Sequence, residues 1–125
     1  MRLLLDTNIL IRWVQGHASV SQTMRGIVQD PQTTVYVSSV SAAEIAIKTS
    51  IGKLPPFPRP VASILGELGF TEMPFTVSHG DLLATLPWHH RDPFDRMLIA
   101  QALSEGLPIA TVDRAFASYG IQVVV

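Results

Sequence analysis

Residues 93–125, PFDRMLIAQALSEGLPIATVDRAFASYGIQVVV, read as helix, strand, short helix, strand. Pro93 suits the first position of a helix behind an Asp92 cap, and the pattern runs to Ser104 before Gly106 stops it. Residues Pro108 to Val112 then form an apolar, β-rich run. Arg114 to Tyr119 make a short helix ended by Gly120, and Ile121 to Val125 make a last strand. Strands separated by helices pair side by side in parallel, joined by right-handed crossovers.

The rest of the chain repeats this alternation. RLLL (2–5) is a short apolar run closed by Asp6-Thr7-Asn8, after which Ile9, Leu10, Trp13 and Val14 recur at helical spacing. A second helix is expected over roughly 19–29, ending near Asp30-Pro31. TVYVS (34–38) has the β-branched and aromatic make-up of a buried strand. Helix follows from about Ser41 to Ile51, with Gly52 as its stop. LPPFPRP (54–60) carries four prolines, which supply no amide donors and exclude both regular helix and central strand. Residues 61–68 read as helix, 70–75 as a poor strand and 78–85 as helix before Pro87. No repeat, linker or low-complexity tract interrupts the order, so one α/β domain over residues 1–125 is expected.

Composition excludes several classes. With no cysteine there is no disulfide framework, thiolate metal site or cysteine nucleophile, so any metal is oxygen-ligated. Arg2 and the leucines begin like a signal peptide, but Asp6 cuts the run short, and charges break every stretch long enough to span a membrane. The expected compartment is the cytoplasm. Net charge is −1, which argues against a generally basic nucleic-acid binder. Four acids deserve separate treatment, however; set aside as metal-neutralised, they leave nine basic side chains against six acidic, a balance compatible with phosphate contacts. Charged residues make up only 15% of the chain, which leaves apolar surface for a partner to cover.

Those acids are Asp6, Glu44, Asp95 and Asp113, each at a strand end or a helix start. Each has a local reading of its own. Asp6 serves as a helix cap, although Thr7 offers the same service. Glu44 completes the capping box Ser41-Ala42-Ala43-Glu44. Asp95 occupies the third position of a helix that Asp92 already caps, and Asp113 caps the helix that starts at Arg114. What capping leaves unexplained is the coincidence, because Ser, Thr or Asn cap equally well and every such junction here supplies an acid. In an open α/β sheet the carboxyl ends of the strands face one crevice, where such acids converge on a hard cation. Cation-assisted phosphodiester hydrolysis then needs no serine or cysteine nucleophile.

The segments LLLDTNILI, SAAEIAIKTSIGKL and HRDPFDRMLIAQALSEGLPIATVDRAFASYG resemble the PIN-domain ribonucleases, specifically the VapC class of toxin–antitoxin toxins. The match spans nearly the whole chain and is most specific from His90 to Gly120. The resemblance implies a three-layer α/β/α fold with a mostly parallel sheet in the order 3-2-1-4-5. It also implies a Mg²⁺ or Mn²⁺ site, with Asp6 and Asp95 as direct ligands and Glu44 and Asp113 completing the cluster. Thr7, Asn8 and Thr111 are expected to orient the carboxylates, although Asn8 stands where many relatives carry His.

Basic residues near the acids, Arg12, Lys48, Lys53, Arg91 and Arg96, are candidates for phosphate contacts, against the alternative that they solvate helix faces. Trp13, Trp88 and Phe57 offer rings for unpaired bases, but core or interface is the better reading of each; His89 and His90 offer a general acid or a stacking surface, with ordinary loop residues the better reading of the pair. The implied function is a metal-dependent endoribonuclease acting on tRNA or rRNA, held inactive by an antitoxin protein and forming a homodimer. Alternatives are an RNA-processing PIN nuclease without an antitoxin, and a non-catalytic PIN-fold binding module, whose signature would be lost acids. A phosphatase using Asp6 as a covalent nucleophile would want an acid two residues on and finds Asn8.

Overall fold

The computed structural model describes residues 1–16 and 20–125. Along the chain run β1 (Arg2–Leu5), α1 (Thr7–Val14), α2 (Gln22–Gln29), β2 (Thr34–Ser38), α3 (Ser39–Ser50), α4 (Val61–Leu68) and β3 (Thr71–Met73). Then come α5 (Val77–Leu83), α6 (Pro93–Glu105), β4 (Ile109–Ala110), a 3₁₀ helix (Arg114–Tyr119) and β5 (Val123–Val124). The five strands are all parallel, in the order β3-β2-β1-β4-β5. β1 is central, with Leu5 beside Val37 of β2 and Ala110 of β4.

A parallel sheet is covered on both faces, and the β1 leucines show how. Leu3 and Leu5 pack on one face with Ile9, Met24, Ile45 and Leu65 from α1 to α4. Leu4 points the other way, among Leu98, Ile99, Phe116 and Tyr119. All three leucines are fully buried. The strand order reverses at β1: β2 and β3 extend the sheet to one side of it, and β4 and β5 to the other. The switch point lies at the carboxyl end of β1, where such folds place their sites.

A buried polar cluster ties α5 to α6. The His79 Nδ1 accepts the Thr76 amide at 3.0 Å, so the neutral ring carries its proton on Nε2, which donates to Glu105 at 2.9 Å. Gln101 Nε2 donates to the Pro74 carbonyl at 3.3 Å, bringing in the segment after β3.

Several boundaries differ from expectation: β5 pairs only over Val123–Val124 and not from Ile121, β3 spans Thr71–Met73 rather than 70–75, and α5 spans Val77–Leu83 rather than 78–85. α3 starts two residues early, because Ser38 and not Ser41 is its cap, its hydroxyl accepting the Val40 amide at 3.0 Å. β4 is shorter than Pro108–Val112: β1 turns into α1 after Leu5, so no neighbour remains to extend the pairing. α2 begins at Gln22 behind a Ser21 cap; the expected start at residue 19 lies outside the described residues. The stops at Gly106 and Gly120 are as read, each glycine taking the left-handed φ (65° and 78°) that side-chain-bearing residues avoid.

Candidate metal centre

Asp6 lies immediately past β1, 3% exposed. One carboxylate oxygen accepts the Ile9 amide at 2.7 Å, making Asp6 itself the cap of α1, and the Thr111 hydroxyl bonds the same carboxylate. Thr7 does not compete for that role. Its hydroxyl pairs with Ser41 at 2.9 Å and fastens α1 to α3.

Glu44 is also 3% exposed and sits in the second turn of α3. With Ser38 as the cap, the capping-box reading of Glu44 falls away. Its Oε2 accepts from Lys48 one turn on, while Oε1 is buried with no partner among the described residues. A buried carboxylate oxygen left bare costs free energy unless something else meets it.

Asp95 is likewise released from capping. Asp92 Oδ1 accepts both the Phe94 and Asp95 amides, at 2.9 and 3.1 Å. The Asp95 side chain instead meets His90 Nε2 at 3.1 Å, and the same nitrogen lies 2.8 Å from Asp113 Oδ2. Asp113 does cap the 3₁₀ helix, accepting the Ala115 amide at 2.9 Å, and Thr111 Oγ1 in turn accepts the Asp113 amide at 3.0 Å.

His90, for which an ordinary loop role is the better reading of the sequence and a general acid the alternative, stands in the cluster with Asp95 and Asp113. His90, Asp95 and Asp113 offer ligand atoms within 4.8 Å of one another. The ring is nevertheless placed as a donor. Its Nδ1 accepts the Asp92 amide at 3.1 Å, so the neutral ring holds its proton on Nε2, between the two carboxylates. Phe116 stands edge-on beside it, centroids 5.8 Å apart.

Electrostatics reflects the crowding. Burial pushes the Asp6 carboxyl up to about 6, against the pull of Thr111, the Ile9 amide and Arg12. Burial, then the charge of Asp92, pushes Asp95 up to about 7, with Asp6 and Glu44 adding to the rise. Burial also raises Asp113, but the His90 hydrogen bond and the Ala115 amide outweigh it and leave that carboxyl below its ordinary range. Buried Asp6 and half-buried Asp95 resist ionisation and Glu44 keeps a bare oxygen, and carboxylate oxygens are the donors a hard divalent cation prefers; among the described residues, the ligand atoms that lie within 4.8 Å of one another are those of His90, Asp95 and Asp113.

A stability test follows from the signs. Between the ordinary value of 3.8 and about 6 to 7, folded Asp6 and Asp95 hold protons that the unfolded chain has released, so stability falls as pH rises through that window. In EDTA the protein is therefore expected to be less stable at pH 7 than at about pH 4.5, read as a lower melting temperature. Mg²⁺ or Mn²⁺ is expected to raise the melting temperature at neutral pH and to do little at about pH 4.5. Equal cation effects at both pH values would contradict this electrostatic picture.

Comparison with known families settles the lineage. The sequence matches the family model described as PIN domain over residues 3–122. The chain belongs to the PIN domain family. Among solved structures, this PIN domain is similar to VapBC2 from Rickettsia felis bound to a DNA fragment from its promoter, at 17% identity and TM-score 0.69, covering 99% of this chain and 98% of that one. It is similar to DNA-bound VapBC from Salmonella typhimurium at 18% identity and TM-score 0.69, covering 99% and 97%. It is also similar to Mycobacterium tuberculosis VapC20, a Sarcin-Ricin loop cleaving toxin, at 13% identity and TM-score 0.67, covering 95% of each chain. At such identities these likenesses speak for the fold. Comparison with curated proteins gives no match.

Within this PIN domain the remaining candidates part company. Arg12 is close enough to Asp6 to lower its pKa, and Lys48 is engaged by Glu44. Arg91 is exposed, as are Asn8 and Lys53. Arg96 is buried, its guanidinium donating to the Pro87 carbonyl at 2.8 Å and the Leu86 carbonyl at 3.3 Å. Trp13 and Phe57 pack against the core, as expected. Trp88 is not core: it is 77% exposed. No helix among the described residues is long and apolar enough to cross a membrane.

Proposed function

We propose that this chain is a divalent-metal-dependent endoribonuclease, a single PIN domain over residues 1–125 and the toxin of a toxin–antitoxin pair. The observation that carries the reading is the buried Glu44 with one bare oxygen beside acids whose ionisation burial opposes. Capping by Asp6 and the Lys48 pair of Glu44 account for part of the arrangement, but not for the bare Glu44 oxygen or for the crowding of like charges around Asp95. The similar structures include a VapC described as a Sarcin-Ricin loop cleaving toxin and one described as a toxin-antitoxin complex, which supports RNA of the tRNA or rRNA class as substrate and an antitoxin protein as partner.

In this reading Asp6 and Asp95 hold Mg²⁺ or Mn²⁺, and Glu44 and Asp113 complete the cluster. The bound cation supplies polarisation of a phosphoryl oxygen and a water of lowered pKa. The chain does the positioning. Thr111 steadies Asp6 and, through its amide bond, Asp113; Lys48 fixes one oxygen of Glu44; the His90 Nε2–H holds Asp95 and Asp113 together. In the same reading Arg12, near Asp6, and the exposed Arg91 meet the anionic backbone, and water rather than the ribose hydroxyl attacks. The test is the chemistry of the cut ends. Brief incubation of total RNA is expected to give ends free of 2′,3′-cyclic phosphate; cyclic ends would assign the cut to the 2′-hydroxyl and sink the mechanism.

Exposed apolar residues at the end of α3, just after it and at the start of α5, Ile47, Ile51 and Val77, fit a chain that works covered by partners, as a homodimer with its antitoxin in the cytoplasm. Sedimentation of the purified chain is expected to give the dimer, and a monomer at working concentration would count against it.

A further inference from the structure

Beside the acids lies a second feature that the proposed chemistry does not use. An open cleft of about 320 Å³ is lined by Leu83, Trp88, Arg91, Pro93, Arg96 and Met97, a volume at the lower end of small-ligand sites, which start near 300 Å³. Its most conspicuous wall is the Trp88 indole, exposed and yet held in place. The buried Arg96 guanidinium stacks 3.8 Å from the ring, and its hydrogen bonds to the Leu86 and Pro87 carbonyls pin the two residues before it. An exposed aromatic ring costs hydration free energy, and fixing it spends a buried cation as well. No described carboxylate lies within ion-pair distance of Arg96, and the described lining holds two guanidinium groups and no acid. The cleft is therefore flat-walled, apolar and electropositive.

We propose that this cleft binds one unpaired nucleobase of the RNA substrate, stacked on Trp88, with Arg91 on the adjoining phosphate. The inference rests on the nuclease reading above for its substrate class. Stacking on an aromatic face with a cation alongside is how single-stranded nucleic acid is gripped. Position agrees with the chemistry, since Arg91 directly follows His90, and Pro93 and Arg96 share α6 with Asp95. A base held here sets which phosphodiester reaches the carboxylates. A second copy of the chain is the poorer occupant, because a two-fold interface would bring the same arginines face to face without an acid between them.

The chain has two tryptophans, Trp13 and Trp88, so the two indole N–H resonances read the cleft and the core separately. The full chain in EDTA is titrated with single-stranded RNA hexamers of uridine and of adenosine, with inorganic polyphosphate as the charge-only probe. The Trp88 resonance is expected to move with a hexamer while Trp13 stays, and polyphosphate is expected not to reproduce the shift. Trp88→Ala is expected to weaken hexamer binding about 10-fold or more with the Trp13 signal unchanged, and Trp88→Phe to restore most of it. Should the alanine variant fail to fold, the phenylalanine variant and the wild-type resonances still decide.

A Trp88 signal unmoved by either hexamer overturns the proposal, as does an equal shift with polyphosphate. A shift that grows with protein concentration in the absence of RNA gives the cleft to a second copy and overturns it as well. Cleavage assays on the same preparation keep the two readings apart: cleavage without a Trp88 shift removes the base site alone, whereas a shift without cleavage removes the nuclease reading and keeps the base site.

Discussion

Asp95→Asn is expected to reduce RNA cleavage at least 100-fold and at the same time to make the metal-free protein more stable at neutral pH. Loss of an outer-shell partner alone typically costs about 10–100-fold in metal affinity or activity, and Asp95 is proposed as a direct ligand. The rise in stability has a separate origin. Burial and the charges of Asp92, Asp6 and Glu44 hold the Asp95 carboxyl up at about 7, so an uncharged amide removes an unfavourable ionisation. Asp6→Asn is expected to match it in activity, and its stability gain is offset because Asp6 also accepts the Ile9 amide at 2.7 Å. Asp113→Asn should cost less in activity, since that residue is the most exposed of the four and its carboxyl is already stabilised by His90. A purely structural cluster would give the opposite pairing, with stability lost and cleavage unaffected. Melting curves in EDTA beside cleavage rates in Mn²⁺ separate the two.

Phe116→Ala is expected to cost about 3–5 kcal/mol of folding stability, read as a shift in urea midpoint. Phe116 is fully buried among Leu98, Ile99 and Ile109 under the 3₁₀ helix, so its removal opens a large cavity. The loss also reaches the site. Its ring supports His90 edge-on, centroids 5.8 Å apart, and the substitution removes that support. Cation affinity should therefore fall alongside stability, whereas truncating the exposed Val112 nearby should shift the midpoint by less than about 0.5 kcal/mol.

Much of this arrangement is legible in the residues, and the parts that are not share a cause. Short apolar runs followed by a polar turn and a helical pattern announce β1 and α1, and the stops at Gly106 and Gly120 rest on a backbone conformation that glycine adopts freely. Local chemistry misleads at Glu44. Ser38, Ser39 and Ser41 all offer a capping hydroxyl, and only packing selects Ser38, which moves the helix start and leaves Glu44 buried instead of capping. The pairing of His90 with the acids is not legible locally, because its partner Asp113 lies 23 positions away and meets it only when β4 closes beside β1. Trp88 escapes for a similar reason. A tryptophan is ordinarily core, and its exposure here depends on a buried Arg96 reaching back eight positions to hold it. Pairing registers and strand order likewise arise from long-range contacts, which the family resemblance supplied and periodicity did not.

The central claim is that these acids gather a divalent cation and that RNA cleavage depends on it. Purified chain, freed of any co-purifying partner and stripped with EDTA, is incubated with total RNA before and after addition of Mn²⁺ or Mg²⁺. Cleavage is expected to be absent in EDTA, to appear on addition of the cation and to stop again on chelation, with Asp95→Asn silent throughout. Cleavage that persists in EDTA and in the Asp95→Asn protein would contradict the account.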